Sequence, residues 1–469
     1  GVDFGPFTQM IQKHSSFIVV KFDDSFIYPG FNDSHMHILL YGLQQSYCDL
    51  STCQSLSQAV EILQKFKKEK NKDNTQLLVG INWSFDVQKQ DLKILDVFEQ
   101  PIFLQRCCYH VALINKSTIS KYSLNTPEYL IKETQLNQIE LPKLQYDEVK
   151  ELIFDTVARL NKFGLTSIQS DDLHQFEHFY EILLEMEKQN QLNINVCLQL
   201  RTTLPQLEKF HKPIKQQKDL NFDKLVRIGP VKLFLDGSLG AKTAFMLNKY
   251  PNTEQNGVQV YQNAELTSLI RNFNNAGFDV ATHAIGDAAN SQIADIFVEL
   301  ERDCEKQEGI CREKPLNSIV HAQILNKAIL QKINDHNIAC RVQPIFLNSD
   351  LQFVNEYLKD TEFAYPFKSI ANKSLSSDCP IESPNPLVNL KFAVDRKGFE
   401  PQEQMSFEEA LKAYTEGSAA HERTDKVKGR LLPGFLADFV VINSDIEGLC
   451  SDETVVEATF VHGRQVYQK

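Results

Sequence analysis

Eight short apolar runs, spread along the chain and separated by longer stretches of helical period, limit what this sequence can fold into more than any other feature. The runs are Phe26–Phe31, Leu165–Gln169, Ile194–Leu200, Val231–Leu235, Phe278–Thr282, Asn317–Val320, Ile338–Val342 and Lys373–Ser376. Most carry apolar residues in succession instead of clean alternation, the mark of strands covered on both faces. Between them lie helical candidates at Tyr146–Phe163, Leu173–Gln189, Ala264–Ala276, Ala288–Asp303 and Asn326–His336. Strand and helix repeated eight times over about 400 residues predict an α/β chain. Its parallel strands should close into a (β/α)8 barrel of the TIM type, with insertions, in preference to an open sheet.

Two regions fall outside that count. Residues from about 78 to 145 separate the first run from the second by more than one helix fills. They read as an insertion over one mouth of the barrel, and they carry Trp83, the single tryptophan. The end of the chain, from Gly434-Phe435-Leu436-Ala437-Asp438-Phe439 to Val466-Tyr467, is β-rich with no helix after it. We expect a small β-sandwich-like domain formed from the chain termini: residues 1–28 as a partial N-terminal segment, 29–424 as the barrel, 425–469 as the C-terminal segment. Little precedes Tyr28, so the N-terminal share of that sheet should be small.

The 469 residues carry 49 Lys+Arg against 61 Asp+Glu, a formal charge of −12. That balance argues against nucleic acid or an anionic membrane as partner, since either favours a basic face. No apolar run approaches the roughly 18–20 residues that span a bilayer, and no basic and apolar leader opens the sequence. Ten scattered cysteines without a C-x-x-C pair read as reduced thiols. A cytoplasmic enzyme with a small-molecule substrate is the expectation, with a homodimer kept among the expected assemblies.

The chemistry starts at Tyr28-Pro29-Gly30-Phe31-Asn32-Asp33-Ser34-His35-Met36-His37. An H-x-H at a strand end points both imidazoles one way, because strand side chains alternate with period two, and paired neutral imidazoles suit a divalent cation such as zinc. With 12 histidines in the chain, about 0.3 such pairs arise by chance, so the motif needs its context. The context is a polar anomaly in or after four later runs: Lys232 within Val231-Lys232-Leu233-Phe234-Leu235, His283 after Thr282, His321 after Val320, and Asp378 after Ser376-Ser377. A lone histidine on an apolar strand is more often a satisfied core residue. Four anomalies at equivalent strand ends, on the rim where barrels assemble active sites, are hard to read that way.

These segments resemble the amidohydrolase superfamily, and within it the branch of N-substituted formamide deformylases and related metal-dependent amide hydrolases, amidohydrolase family 3. The resemblance rests on Pro29-Gly30-Phe31-Asn32-Asp33-Ser34-His35-Met36-His37, Gly164–Gln169, Val231–Gly240, His283-Ala284-Ile285-Gly286-Asp287, His321-Ala322-Gln323, Val342-Gln343-Pro344 and Ser377–Glu382. Ala410–Thr415 and Pro433–Val441 also match. It implies two zinc-type divalent metals per chain. His35 and His37 would hold one and His283 and His321 the other, with Lys232 bridging them as a carbamate formed from CO2. It further implies that Asp378 binds the first metal and shuttles the proton while a metal-bound hydroxide attacks an amide-type C–N bond. Trp83, His110, Lys242 and Gln343 are the expected substrate contacts. Lys242 stands where an arginine is common in such sequences, and Val320 where a glutamate usually precedes the histidine.

Other signals are weaker. His174-Gln175-Phe176-Glu177-His178 fits H-x-x-E-H, but no third ligand follows it, and a solvated face of an outer helix is the expectation. Gly237–Thr243 has the wrong glycine spacing for a phosphate loop. Two further readings stay open: deamination of a heterocycle with one metal, which leaves the lysine without a use, and a non-catalytic relative.

Overall fold

The computed structural model describes residues 5, 9–10, 13, 20–69, 76–106, 111–139, 144–210, 224–306, 314–445, 447–448 and 451–469. The first apolar run is broken in two at Gly30. Strand β1 (Phe26–Pro29) belongs to one sheet and β2 (Phe31–Met36) to another. A Cβ at Gly30 would sit 2.2 Å from Thr166 Oγ1, so only glycine lets the backbone pass there. Its N–H donates to Asp438 O at 3.0 Å, which fixes the crossing point.

Parallel pairing then runs from β2 through β8 (Leu165–Ser170), β9 (Asn195–Leu200), β10 (Val226–Phe234), β11 (Val280–Ala284), β12 (Ser318–His321) and β13 (Ala339–Val342) to β14 (Lys373–Leu375). The ring closes where Ser34 Oγ donates to Leu375 O at 2.9 Å and Ser377 N donates to the Asp33 carboxylate. Helices Tyr146–Lys162, Phe179–Lys188, Asn263–Asn275, Asp287–Lys306 and Lys327–Asp335 alternate with these strands. The chain is thus a (β/α)8 barrel, and burial of every residue in β2, β8 and β9 explains why the sequence shows runs and not alternation.

The barrel interior is not wholly apolar. Arg341, almost fully buried, donates to Ser318 Oγ (3.1 Å), Ser34 O (2.9 Å) and His421 O (2.7 Å), and also meets Gln169 Oε1. Five donors in a planar fork let one side chain tie together separate strands. His421 is buried beside it, hydrogen-bonded to Ser374 Oγ at 2.7 Å and Asn372 Oδ1 at 2.9 Å. Burial, reinforced by Arg341, pushes its pKa down to about 3. Between the ordinary value near 6.5 and that depressed value, the unfolded chain takes up a proton that the folded chain refuses. The stability difference between wild type and His421→Gln should therefore shrink by up to about 1.4 kcal/mol per pH unit as pH falls below 6.5. Urea titrations across that range check it, and a pH-independent difference would contradict it.

Strands β15 (Phe439–Ile442), β16 (Val456–Val461) and β17 (Arg464–Gln468) join β1 in a four-stranded antiparallel sheet, order β1-β15-β16-β17. Among the described residues this sheet from the two ends of the chain is a single layer, with Phe439 stacked on Phe460 at 4.3 Å.

Residues Leu39–Ile153 form a second compact unit, which starts well before position 78. Its five-stranded sheet, β3 (Cys48–Asp49), β4 (Leu78–Trp83), β5 (Ile102–Arg106), β6 (Val111–Ile114) and β7 (Leu130–Lys132), carries a separate apolar core on each face. Helix Leu56–Glu69, absent from the helical candidates named above, packs Ala59, Val60 and Leu63 into one of those cores. Among the described residues, no helix is long and apolar enough to cross a membrane.

Candidate metal centre

Side chains from β2, β10, β11, β12 and the segment after β14 meet at the C-terminal rim of the barrel. His35 and His37 lie two residues apart at the end of β2, and both Nε2 atoms are 3.3 Å from Asp378 Oδ1. Lys232 Nζ reaches His35 Nε2 at 3.4 Å. The His35 and His321 ring centroids are 6.0 Å apart, and those of His283 and His321 are 4.5 Å apart. All six residues singled out as ligands therefore converge. Ligand atoms of His35, His321 and Asp378 lie within 4.8 Å of one another.

What holds the imidazoles decides whether they suit a metal. His35 Nδ1 meets Gln199 Oε1 at 3.0 Å, His37 Nδ1 meets Asp171 O at 2.9 Å, and His321 Nδ1 meets Gln343 Oε1 at 2.8 Å. The amide of Gln199 is oriented by Ser34 O, and that of Gln343 by Arg341 O and Ser376 Oγ, so each presents oxygen to its histidine. In the neutral rings Nδ1 then carries the proton and Nε2 offers a lone pair. His283 is turned over. Its Nε2 meets Gly237 O at 3.1 Å, with Asp236 Oδ1 at 3.3 Å, which leaves Nδ1 as the lone pair. Four imidazoles each bonded outward through one nitrogen, beside a carboxylate, are a donor set that fits divalent metal.

The electrostatics agree for two of the rings. Burial, then Lys232, pushes the His35 pKa down to about 4, and burial with His283 holds His321 well below its usual range. Both rings are neutral at pH 7 and available as ligands. Burial lowers Lys232 to about 8. Burial works against ionisation of both Asp378 and His37, but their mutual hydrogen bond outweighs it. Asp378, with His35 also beside it, lies well below the carboxylate range, and His37 is raised to about 9 with help from Asp172. Two ligand positions are strained: His321 has φ +82° and Asp378 φ +54°, left-handed values that non-glycine residues rarely adopt.

The expected substrate contacts divide. Gln343 is fully engaged beneath His321, as an orienting group. Gln343→Ala should therefore weaken metal binding by about 10–100-fold, measurable by competition with a chelator, and an unchanged affinity would remove that role. Lys242 (φ +57°) places Nζ 4.1 Å from the Tyr357 ring centroid. Trp83 is in the core of its own unit, where its indole N–H donates to Leu104 O at 2.8 Å, with Phe85 at 5.3 Å and Arg106 at 5.4 Å. His110 lies outside the described residues. The H-x-x-E-H segment is not helical, since the helix begins only at Phe179; His174 sits in the loop after β8, with Nδ1 3.8 Å from Asp171 Oδ1.

Several residues that shape the site went unread in the sequence. Asp33, buried, accepts from His35 N and Ser377 N and from the Tyr414 hydroxyl, pinning the two ligand-bearing segments together. Asp236 accepts from Ile285 N, Gly286 N and Phe245 N, which shapes the loop after His283. Gln199, Asp171 and Arg201 complete the rim.

Comparison with known proteins matches residues 23–467 to the amidohydrolase family model. YtcJ of Bacillus subtilis, which carries the name amidohydrolase, is 28% identical over 96% of this chain and 90% of its own length. Protein LONG AFTER FAR-RED 3 of Arabidopsis thaliana is 27% identical over 96% of this chain and 83% of its own. The crystal structure of an uncharacterized metal-dependent hydrolase from Pyrococcus furiosus superposes with a TM-score of 0.74 at 28% identity, over 90% of this chain and 88% of that one.

Proposed function

Because the chain belongs to the amidohydrolase family, we propose that it is a metal-dependent hydrolase that cleaves an amide-type C–N bond with Asp378 as proton carrier. His35, His37 and Asp378 would hold one divalent metal and His283 and His321 a second, with Lys232 between them. Such metals supply Lewis acidity toward a carbonyl and a lowered pKa for water. The observation that carries the reading is the convergence of Lys232 Nζ and Asp378 Oδ1 on His35 Nε2, at 3.4 and 3.3 Å. A lysine there has a use when it bridges two cations and little beside one.

The chain's own groups account for the proton traffic. Asp378 is ionised, so Oδ1 can take a proton from attacking water and return it to the departing nitrogen. His37 holds that oxygen at the strand end, with His35 Nε2 3.3 Å away, and Asp33 ties its segment to β2. Gln199, Asp171 and Gln343 fix the rings before substrate arrives, which is preorganisation and not response.

Metal analysis of the purified, reconstituted protein, paired with amine release from N-acyl compounds, tests this reading. We expect about two equivalents per chain and amide turnover. One equivalent with deamination of a heterocycle would replace it, and no metal would favour a binding protein.

A further inference from the structure

Two ligand-bearing segments of the rim have left-handed backbone, and they are held in different ways. Asp378 (φ +54°) is tied directly to β2, its N–H donating to His35 O at 2.9 Å. At the end of β12 the strain falls on consecutive residues, His321 (φ +82°) and Ala322 (φ +46°). Residues other than glycine stay in that region only where their surroundings hold them there. Ala322 N donates to Ala284 O at 3.2 Å and Ile324 N to Ile285 O at 3.0 Å, which ties the turn to the neighbouring strand end. On its other side the turn is held by Gln323.

Gln323 is buried, and its Nε2 donates to Asp350 Oδ2 at 3.0 Å and to the Tyr365 hydroxyl oxygen at 2.8 Å. That hydroxyl donates in turn to the same Asp350 oxygen at 2.6 Å. Tyr365 N also donates to Gln323 O at 2.6 Å, so the residue is gripped through side chain and backbone together. Gln323 Oε1 meets no partner among the described residues. The amide is therefore fixed through its nitrogen alone, by Asp350 and Tyr365. Tyr365 is itself braced edge-on by Phe367 at 5.8 Å and Phe399 at 5.9 Å. Asp350 lies in the segment after β13, beyond Phe346, whose ring stacks on His321 at 5.7 Å. Among the described residues it forms no ion pair; Tyr365, Gln323 and Ser349 face it as hydrogen-bond donors, and burial pushes its pKa up to about 6. A carboxylate buried without a cation is costly, and stability alone favours an apolar residue there. What the charge supplies is strengthened hydrogen bonds that lock Gln323.

We propose that Asp350 is a positioning residue for the metal centre: through Gln323 and Tyr365 it holds the left-handed turn at His321 and Ala322, and so aims His321 Nε2 at the metal. The inference rests on the metal-dependent reading of the site and adds a residue that touches none of the ligands. Its task differs from that of Gln343. Gln343 meets Nδ1 and sets the rotation of the His321 ring, whereas Asp350 sets the backbone that carries the ring. Losing either should misdirect one ligand and leave His35, His37 and Asp378 in place, since those are held by Gln199, Asp171 and Asp33.

Cobalt(II) titration of the full-length, metal-free protein, followed by visible absorption, tests this without any substrate. Wild type should take two equivalents. Asp350→Leu should keep the wild-type circular dichroism and bind one equivalent normally, while the other weakens by at least about tenfold with a changed spectrum. Asp350→Asn, which keeps an acceptor for Gln323 and Tyr365, should recover most of that loss, and Tyr365→Phe should fall between. The ring-nitrogen NMR signals of His321 in metal-free protein, assigned by their loss in His321→Gln, give a second readout. They should report a single tautomer protonated at Nδ1 in wild type and exchange broadening in Asp350→Leu. An unchanged second equivalent with unchanged His321 signals overturns the proposal. Equal weakening of both equivalents overturns it too, because general destabilisation produces that. If Asp350→Leu does not fold, Tyr365→Phe carries the same comparisons. Wild type that takes only one equivalent sinks the two-metal reading alone, and the His321 signals then decide the role of Asp350.

Discussion

Asp378→Asn should fold, bind metal less tightly and, at saturating metal, turn over at least about 10²–10⁴-fold more slowly than wild type. The backbone at Asp378 has φ +54°, a region where asparagine is among the few residues tolerated, so the variant tests chemistry and not folding. An amide keeps the size and one acceptor for His37 but cannot take up the proton of an attacking water. The carboxylate it replaces is buried and ionised, because two imidazoles 3.3 Å away outweigh the cost of burial. The change therefore removes a charge the site was built around. Steady-state assays at several metal concentrations separate weakened metal binding from lost proton transfer. Near-wild-type turnover at saturation would take the proton-carrying role away from Asp378.

How much of this was legible beforehand depends on whether a residue's signal is local. The barrel strands were readable because burial on both faces writes itself as apolar runs. Their ends were readable where a polar residue interrupts a run. The junction at Gly30 was not, since Phe26–Phe31 is continuous in composition and only the Thr166 side chain, 136 residues on in sequence, forces the break. Loop 171–178 has helical period, but the chain there is spent on rim contacts: Asp171 serves His37 and Arg201, and Gln175 N bonds Asp172 O. Helix Leu56–Glu69 was not singled out, and its amphipathicity would have revealed a buried face without saying which sheet buries it.

The same distinction separates the ligands from their supports. His35, His37, Lys232, His283, His321 and Asp378 stood out because histidine, lysine and aspartate are unusual at strand ends. Gln199 and Gln343 did not, since glutamine in a strand is chemically unremarkable until the imidazole it orients is known. One clue was available: Leu198-Gln199-Leu200-Arg201 alternates polar and apolar within a strand otherwise buried throughout. Such alternation in a barrel strand means that one set of side chains faces the interior of the barrel, where a polar group must have a partner. Asp33 was hidden inside the motif that carried the histidines, and Arg341 inside an apolar run.

Lys232→Ala should lose metal and activity together, with turnover down by about a thousandfold or more if several kcal/mol of metal-derived charge stabilisation go with it. An ordinary lysine ammonium is a point charge with pKa near 10.4. Between four imidazoles and two dications it would be repelled. Lys232 is almost fully buried, with Nζ against the Phe234 ring and His35 Nε2, and burial brings its pKa down to about 8. That raises the fraction of free amine, the form that attacks CO2. The N–C bond would form with loss of one amine proton to solvent, and the product would be an anion whose oxygens could serve as metal ligands. On the proposed reading, modification and metal binding would stabilise each other, so removing the amine should remove both. A short carboxylic acid added to Lys232→Ala should restore part of the metal content and part of the rate, because it returns an anion to the space the side chain vacates. The competing arrangement is a neutral lysine beside one metal, acting only as a hydrogen-bond partner, and it predicts no rescue. Crystals of metal-loaded wild type grown with bicarbonate decide between them: continuous density beyond Nζ is expected, and an unextended lysine at full metal occupancy would refute the bridge.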